Sequence, residues 1–347
     1  MMSQSIWLGR PDGSFNVKIA LRGFWVSAFL ACLCLTLALY ALQSGALQLS
    51  PHAVWQALLG DGTASNRMVV VQWRLPRVVM ALVLGAALGM SGAIFQSLIR
   101  NPLGSPDVIG FNSGAYTGAL LAIVLLQANH LQIAGGALLG GLLTAAIIYL
   151  LAWNRGLNSF RLIIVGIGIS AMLTAVNTWL MISASLESAI SAAVWGAGSL
   201  SGITWGMARP SALICVFALL AALALSRRMQ MLEMGDDSAS ALGINVERSR
   251  LQLMVIGVVL TAAATAVSGP ISFIALAAPQ MAKQLSRSHS TTLLCSAWMG
   301  ALLLLAADLV AQHAFSPQKL PVGVVTVSIG GLYLIWLLIR QMRPDSR

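Results

Sequence analysis

The sequence predicts an all-α polytopic integral membrane protein, and three observations support this fold class. Hydrophobic residues make up 58% of the 347 residues and charged residues only 9%, with a mean hydropathy of +0.85. Soluble domains are about half apolar and about a quarter charged. Apolar runs long enough to cross a bilayer recur along the chain, and Lys and Arg gather at their ends. A water-soluble fold of this length could not bury so much apolar surface.

The net charge of +10 has a topological explanation. In a soluble protein such a charge would suggest nucleic-acid binding. Here the cations lie between apolar runs, where the positive-inside rule places them. The sequence therefore predicts that the chain lies in membrane lipid and binds no nucleic acid.

Nine apolar runs have the length of a bilayer crossing, which needs about 20 residues. In chain order they are Gly23–Leu42, Val78–Leu98, Val108–Leu126, Ile133–Trp153, Leu162–Ile182, Ser211–Ser226, Leu251–Val267, Leu293–Val310 and Val322–Ile339. The first run exceeds the ~7–15 residues of a signal-peptide core. We expect it to be retained as an anchor, with no secreted or periplasmic domain before it.

A tenth apolar piece, Ile271–Ala282, is short and contains Pro279. If it crosses and the N-terminus is cytoplasmic, 15 of the 20 cations lie inside and 5 outside; otherwise the split is 11 to 9. In the first case the outer cations are Arg67, Arg74, Arg77, Arg209 and Lys319, and the inner ones are Arg10, Lys18, Arg22, Arg100, Arg155, Arg161, Arg227, Arg228, Arg248, Arg250, Lys283, Arg287, Arg340, Arg343 and Arg347. The positive-inside bias favours ten crossings with both termini in the cytoplasm.

Small residues at a spacing of four predict close helix packing. Gly85 and Gly89 show this spacing in one run, and Gly136 and Gly140 repeat it in another. Glycines so placed let helix backbones approach each other. No linker or internal repeat interrupts the chain, so we expect one membrane domain over residues 1–347.

The residues that usually carry chemistry are sparse. The four cysteines lie in apolar stretches without metal-ligand spacing, and the four histidines are scattered, so no metal site is predicted. Hydrolase, metalloprotease and phosphate-loop motifs are missing. Only Asp308 lies clearly inside an apolar run, and we interpret it as a structural carboxylate bonded to neighbouring hydroxyls or backbone. The protein is predicted not to be an enzyme, and energy for uphill transport must come from a partner.

The longest cytoplasmic loop, about residues 227–250, holds four of the ten acidic residues, Glu233, Asp236, Asp237 and Glu247. Its interior predicts a short helix in which Asp236 or Asp237 caps the N-terminus and Gly243 ends the helix. Such a helix is not stable alone in water. It rests either on its own bundle or in a cleft of a soluble partner, and the residues alone leave both possibilities open.

Several stretches resemble the permease subunits of type II ABC importers for iron–siderophore complexes, haem and cobalamin. The matching segments follow one another at the family spacing: WRLPRVVMALVLGAALGMSGAIFQSLIRNPLGSPDVIGFNSGA from Trp73, then LGINVERSR, SGPISFIALAAPQMAK, LLLLAADLVAQ and LPVGVVTVSIGG. Taken together, these segments most resemble the permeases that import ferric catecholate siderophores such as ferric enterobactin. The resemblance implies ten transmembrane helices per subunit.

The resemblance also implies partners and a location. A sister permease would form a heterodimer with this chain, two ATP-binding subunits would carry ATP and Mg, and a periplasmic binding protein would deliver the ferric siderophore. This subunit itself would bind no cofactor. Its location would be the bacterial inner membrane.

By the same resemblance, individual residues receive roles. The ATPase-coupling helix would comprise Asp236, Asp237, Ser238, Ala239, Leu242 and Gly243. Arg74 and Arg77 would dock the binding protein, and the structural motif residues would be Asn101, Pro102, Asp107, Asp308, Pro321 and Gly323. The chain departs from the family at Gln312, where some members carry a third docking arginine, at Gln280 in place of histidine, and at Lys283 in place of arginine. The first departure would suit a heterodimer.

Three functions are therefore compared. The leading hypothesis is an ATP-driven importer permease for a ferric catecholate, or for another iron chelate, haem or cobalamin. The second is a secondary transporter driven by protons through Asp308. The third is a membrane scaffold without transport activity.

Overall fold

The computed structural model describes residues 5–8, 17–45, 47–153, 159–288, 292–315 and 318–342. Arg10, Arg155, Arg343 and Arg347, which entered the charge count, lie outside these residues. The predicted helical class is confirmed. A short antiparallel hairpin, β1 (Ser5–Leu8) and β2 (Val17–Ala20), precedes the first helix and was not predicted.

The helices of the described chain overlap every predicted apolar run. Their bounds are α1 Leu21–Gln43, α2 Pro51–Leu59, α3 Ala64–Arg67, α4 Leu75–Ile99, α5 Pro106–Ile109, α6 Phe111–Leu126, α7 His130–Ala152, α8 Ser159–Ser183, α9 Leu186–Gly196, α10 Trp205–Ala224, α11 Ser226–Glu233, α12 Asp236–Ala241, α13 Val246–Ser268, α14 Ile274–Ser286, α15 Leu293–His313 and α16 Val322–Met342. A π-helical segment, Met68–Arg74, joins α3 to α4 in one continuous rod.

Seven helices within the described residues are long and apolar enough to cross a membrane. They are α1, the rod that ends in α4, α7, α8, α10, α13 and α15. The apolar parts of α6 and α16 are shorter. The 13 residues of α14 rise only about 20 Å, against a hydrocarbon core of about 30 Å.

The α4 helix lies at the centre of the bundle, because α10, α13, α14 and α15 pack around it. Gly85 and Gly89 touch the backbone of α15 at Ser296, Gly300 and Ala301, so a side chain at either glycine would collide with main-chain atoms. Gly136 and Gly140 meet the backbone of α6 in the same way. The prediction that these glycines serve close packing is confirmed.

One predicted run is divided into two helices. The run Val108–Leu126 contains the end of α5 and all of α6, with Gly110 between them at φ +97°. A Cβ at Gly110 would strike Ser170 of α8. The tight approach of α8 and the left-handed turn therefore both require glycine here.

Polar contacts show which helix ends lie at the same face of the bundle. At one end, Arg22 donates to the carbonyl of Leu285 at the close of α14. At the other end, Ser44 bonds His313 at the close of α15, and Trp205 donates to the carbonyl of Val71. The start and end of α1 therefore mark opposite faces of the bundle.

The cysteines agree with their prediction as small core or lipid-facing residues. Cys34, Cys215 and Cys295 are buried, Cys32 is exposed on α1, and all four thiols are free.

Candidate functional site

The polar loop folds as two short helices rather than the single one predicted. The first, α11, buries Met229 and Leu232. This i, i+3 pair is the sequence signal that could have revealed it. The second, α12, is the predicted short helix, and its chain reverses at Gly243, where φ is +81°. The amide of Ile244 then donates back to the carbonyl of Ala239, which closes the turn. The role of Gly243 in ending the helix is confirmed.

The predicted cap of α12 is wrong. Gly235 occupies the N-cap position, and no side-chain hydrogen bond caps the helix. The carboxylate of Asp236 instead accepts hydrogen bonds from Arg100 at 2.5 Å and from Arg250 at 2.7 Å. Two guanidinium groups bind a carboxylate more strongly than a backbone amide does, which explains where this side chain lies.

The six predicted coupling residues divide by exposure. Asp237, Ser238, Leu242 and Gly243 are exposed, whereas Ala239 is buried against the bundle. The side chain of Asp236 is 44% exposed and held by its two arginines. The loop thus has an inner side that attaches it to its own chain and an outer side that is uncovered. Its contact with an ATPase stays a prediction.

At the opposite end of the bundle, Arg77 and Asp308 form a buried ion pair. Nε of Arg77 lies 2.9 Å from Oδ2, and Nη2 lies 2.8 Å from Oδ1. Gln312 donates to Oδ2 at 2.8 Å. The structural interpretation of Asp308 agrees with this geometry, but the predicted partners were wrong, because an arginine and an amide bind the carboxylate instead of hydroxyls or backbone. Buried carboxylates require such partners.

Arg74 is also engaged within the chain. Its guanidinium donates to the carbonyls of Leu42 and Gln43 at 2.8 and 3.0 Å, and to that of Leu47. These bonds satisfy carbonyls left open where α1 ends. Arg74, Arg77, Gln312 and the exposed Lys319 line a cavity of about 250 Å³. The docking role of the two arginines stays a prediction.

The departures from the family pattern are accommodated locally. Gln280 on α14 donates to the side chain of Gln96 at 2.7 Å and to the carbonyl of Pro102 at 3.1 Å. Gln96 in turn donates to the carbonyl of Leu276. Lys283, one turn beyond, is exposed. Gln280 therefore ties α14 to the end of α4.

The other motif residues stabilise turns. Asn101 accepts from the amide of Leu103, and Gly323 donates its amide to the carbonyl of Gly198. Pro321 precedes α16 and accepts from Val324. Asp107 accepts from Asn112 at 2.5 Å and from the amide of Phe273 at 3.3 Å. Phe273 has φ +70°, so the carboxylate holds an uncommon turn just before α14.

Two cavities that the sequence did not predict flank one aromatic pair. The first, about 540 Å³, is lined by neutral polar side chains of α6 and α8, among them Asn112, Ser113, Thr174, Asn177 and Thr178. The second, about 570 Å³, is lined by hydroxyls of α9, the segment after it and α13, among them Ser191, Ser199, Ser201, Thr204 and Ser268. Tyr116 of the first cavity stacks on Trp195 of the second, with centroids 6.1 Å apart. In the described part of the chain, no group of three or more His, Cys, Asp or Glu side chains could hold a metal ion.

A family model described as the FecCD transport family matches residues 25–340. The chain belongs to the FecCD transport family. It is 58% identical over 310 residues to the ferric enterobactin transport system permease protein FepG of Escherichia coli (strain K12), covering 89% of this chain and 94% of that protein. It is 36% identical to the hemin transport system permease protein HmuU of Yersinia pestis, covering 92% and 96%.

Solved structures agree with this assignment to the FecCD transport family. A metal-chelate type ABC transporter in an inward-facing conformation matches with a TM-score of 0.80 and 27% identity. The match covers 91% of this chain and 99% of the other. The predicted permease fold is therefore confirmed at the level of the whole helical bundle.

Proposed function

We propose that this chain is a permease subunit of an ATP-driven importer that moves a ferric siderophore, ferric enterobactin or a related catecholate, into the cytoplasm. The observation that carries the proposal is the 58% identity to FepG across nearly the full length of both chains. The hemin permease HmuU is only 36% identical, which ranks haem below a catecholate as the ligand. The chain is the transport component, and ATP hydrolysis belongs to a partner.

The proposed topology has ten crossings in one domain, with both termini in the cytoplasm. Support comes from the segment that ends in α14. This segment begins at Gly269, which lies against Trp195 and Gly198. The carbonyl of Gly198 in turn accepts a hydrogen bond from the amide of Gly323, at the start of α16. The end of the segment at Leu285 meets Arg22 at the start of α1. The segment therefore runs between the two ends of the bundle, and it is buried by protein, as a short proline-containing crossing requires.

The proposed assembly contains a sister permease, two ATP-binding subunits that carry ATP and Mg, and a periplasmic siderophore-binding protein, all at the bacterial inner membrane. The exposure of α8 is evidence for a sister subunit. Only 17% of the apolar stretch of this helix is buried within this chain. The polar cavity between α6 and α8 opens at the same side. A second subunit would cover this side and close the pathway.

The proposed pathway follows the neutral cavity walls of α6 and α8. No charged side chain lines the first cavity within the described residues. A wall of hydroxyls and amides hydrates an anionic chelate without trapping it in a deep electrostatic minimum, as conduction through a pore requires.

At the cytoplasmic end, the exposed side of α12 is proposed to dock in a groove of the ATPase. At the periplasmic end, Arg74, Arg77 and Lys319 give the rim of the outer cavity its positive charge. The pair with Asp308 neutralises Arg77, so Arg74 and Lys319 carry the remaining attraction for acidic groups of the binding protein. We expect this attraction to affect the rate of docking more than its affinity.

The function is tested by reconstituting the chain with the sister permease, the ATPase and the binding protein loaded with ferric enterobactin. We expect uptake and ligand-stimulated ATP hydrolysis, and both should stop with a hydrolysis-dead ATPase. Uptake that continues with the inactive ATPase would reject the proposal.

The proton-driven alternative predicts a different result. In vesicles supplied with ATP, uptake should survive collapse of the proton gradient if ATP drives it, and should stop if Asp308 relays protons. A scaffold would show neither activity. The ligand is identified by deleting the gene and testing growth on single iron sources, where a defect confined to catecholates is expected.

A further inference from the structure

We propose that Arg100, Asp236 and Arg250 form a clamp that transmits movement of the coupling helix α12 to the membrane helices α4 and α13. The inference rests on the proposed function, because it concerns how the ATPase drives this subunit. It assigns a positioning role to two arginines that lie in the quoted family segments but received no role there.

The clamp is built around one oxygen atom. Oδ1 of Asp236 accepts from Nη2 of Arg100 and from Nη2 of Arg250, at 2.5 and 2.7 Å. Nη2 of Arg100 also donates to the carbonyl of Leu232 in α11, at 3.0 Å. A single carboxylate therefore joins four elements, which are α4, α11, α12 and α13.

The α12 helix depends on these contacts for its position. It has six residues and no side-chain cap, and Ala239 is its only buried residue. An isolated helix of this length does not persist in water. When a partner pushes on the exposed side, the force reaches the rest of the chain through Ala239 and through the clamp.

The backbone at Arg100 indicates that its side chain matters. Arg100 follows the last residue of α4 with φ 55° and ψ 35°, a left-handed conformation. Glycine is the residue usually found at such a helix end. The left-handed conformation is less favourable for arginine than for glycine. With arginine at this position, the guanidinium binds both the carbonyl of Leu232 and the carboxylate of Asp236.

The two arginines lead into helices that are bonded to each other. Ser91 of α4 lies 2.7 Å from both the carbonyl of Gly257 and the hydroxyl of Thr261 in α13. Further along α13, Thr265 donates to Asn112, which lines the cavity of α6 and α8. A displacement at Arg250 is therefore passed along one helix to the wall of the pathway.

The clamp contributes little to stability, which separates its role from simple folding. The side chains of Arg100 and Asp236 are each 44% exposed, and the carboxylate that Arg250 binds is therefore in contact with solvent although Arg250 itself is 14% exposed. Ion pairs with this exposure typically stabilise a fold only slightly. Loss of the clamp should leave the chain folded and assembled while it weakens the coupling between ATP hydrolysis and transport.

The test is Arg250→Gln in the complete complex, with ferric enterobactin on the binding protein as the probe; Arg250 lies in α13, outside the predicted coupling residues. We expect the ATPase to co-purify and to keep its basal hydrolysis. Uptake per ATP hydrolysed should fall by about tenfold, within the usual range of coupling between sites. Asp236→Asn should lose uptake per ATP at least as strongly, because it removes the carboxylate that both arginines bind. Arg250→Lys, which keeps the charge, should lose less than Arg250→Gln.

Matched controls lie on the same stretch of chain. Glu247→Gln and Arg248→Gln remove an exposed acid and an exposed base from the start of α13, and both should transport normally. The double variant Asp236→Asn with Arg250→Gln should be no worse than Asp236→Asn alone, because that single change already removes the carboxylate that Arg250 binds.

Three results would overturn the clamp. They are wild-type uptake per ATP in Arg250→Gln, loss of ATPase binding in that variant, and a loss in the double variant larger than in Asp236→Asn. Loss of ATPase binding would make Arg250 a docking contact instead. A wild-type complex without ATP-dependent uptake would reject the proposed function itself, so the two failures are distinguishable.

Discussion

At the scale of single residues, Asp308 shows what one position in a sequence can reveal. Its place in an apolar run predicts a satisfied buried carboxylate, and that prediction agrees with the structure. Its partner Arg77 lies 231 residues earlier, and no local pattern relates positions so far apart. Gln312, four residues on, lies on the same helix face, so its contact could have been read from helical spacing.

The ion pair gives a first prediction. In Arg77→Gln the buried carboxylate of Asp308 loses its counter-charge. We expect the free energy of unfolding to fall by roughly 3–5 kcal/mol, as when one partner of a buried ion pair is removed in other proteins. The double variant Arg77→Gln with Asp308→Asn removes both charges and should be more stable than Arg77→Gln alone. Thermal unfolding of the purified protein measures both. Equal melting temperatures for wild type and Arg77→Gln would contradict this role.

The turn after α12 gives a second prediction. Gly243 has φ +81°, and a β-branched residue there costs about 1–3 kcal/mol locally. We expect Gly243→Val to distort the turn and to lower ligand-stimulated ATP hydrolysis in the assembled complex. The control is Gly135→Val in α7, where no atom lies within 4 Å of an added Cβ and no positive φ is required. Normal stimulation in Gly243→Val would show that the turn tolerates ordinary backbone angles.

At the scale of elements, hydrophobic length predicted the long helices well, because burial in lipid or protein favours the same apolar runs. Hydrophobic length failed where a helix extends beyond its apolar run and where a glycine turn divides a run. The α10 helix begins at Trp205, six residues before the predicted start at Ser211, and accommodates Pro210 near its N-terminus. The break at Gly110 depends on the approach of α8, which no single run encodes.

The α4–α15 contact gives a third prediction. Gly89→Val would place methyl groups against the main chain of α15 at Ser296, which cannot yield as a side chain can. Overpacking of this kind typically costs about 1–3 kcal/mol. We expect a lower melting temperature and less protein in the membrane than for Gly135→Val. If the two variants behave alike, the close contact of α4 with α15 is not required.

At the scale of the whole molecule, charge counting predicts ten crossings, with α14 as one of them. The fourth prediction uses cysteine labelling in a variant whose four natural cysteines are alanine. Gln318→Cys should react from the periplasmic side and Gln230→Cys only from the cytoplasmic side. Both glutamines are exposed in the structure. Labelling of Gln318→Cys from the cytoplasm would show nine crossings, with α14 not crossing.

Sequence reasoning reached the helical fold class and the family but not the cavities. The Tyr116–Trp195 stack and the polar walls combine residues from α6, α8, α9 and α13. Serine, threonine and asparagine are scattered through most membrane helices, so their convergence becomes visible only in three dimensions. The α12 helix and its end were predictable because the acids, the small residues and Gly243 lie close together in the sequence.

The central position of α4 has a consequence for how the protein is made. The helices that cover its glycine face, α13, α14 and α15, are synthesised long after it. During that interval α4 must rest among lipid chains, and Arg77 can extend its guanidinium to the membrane surface while Asp308 is still untranslated. The last third of the chain therefore completes the first. A chain that stops before α15 would leave the backbone face of α4 at Gly85 and Gly89 uncovered by protein.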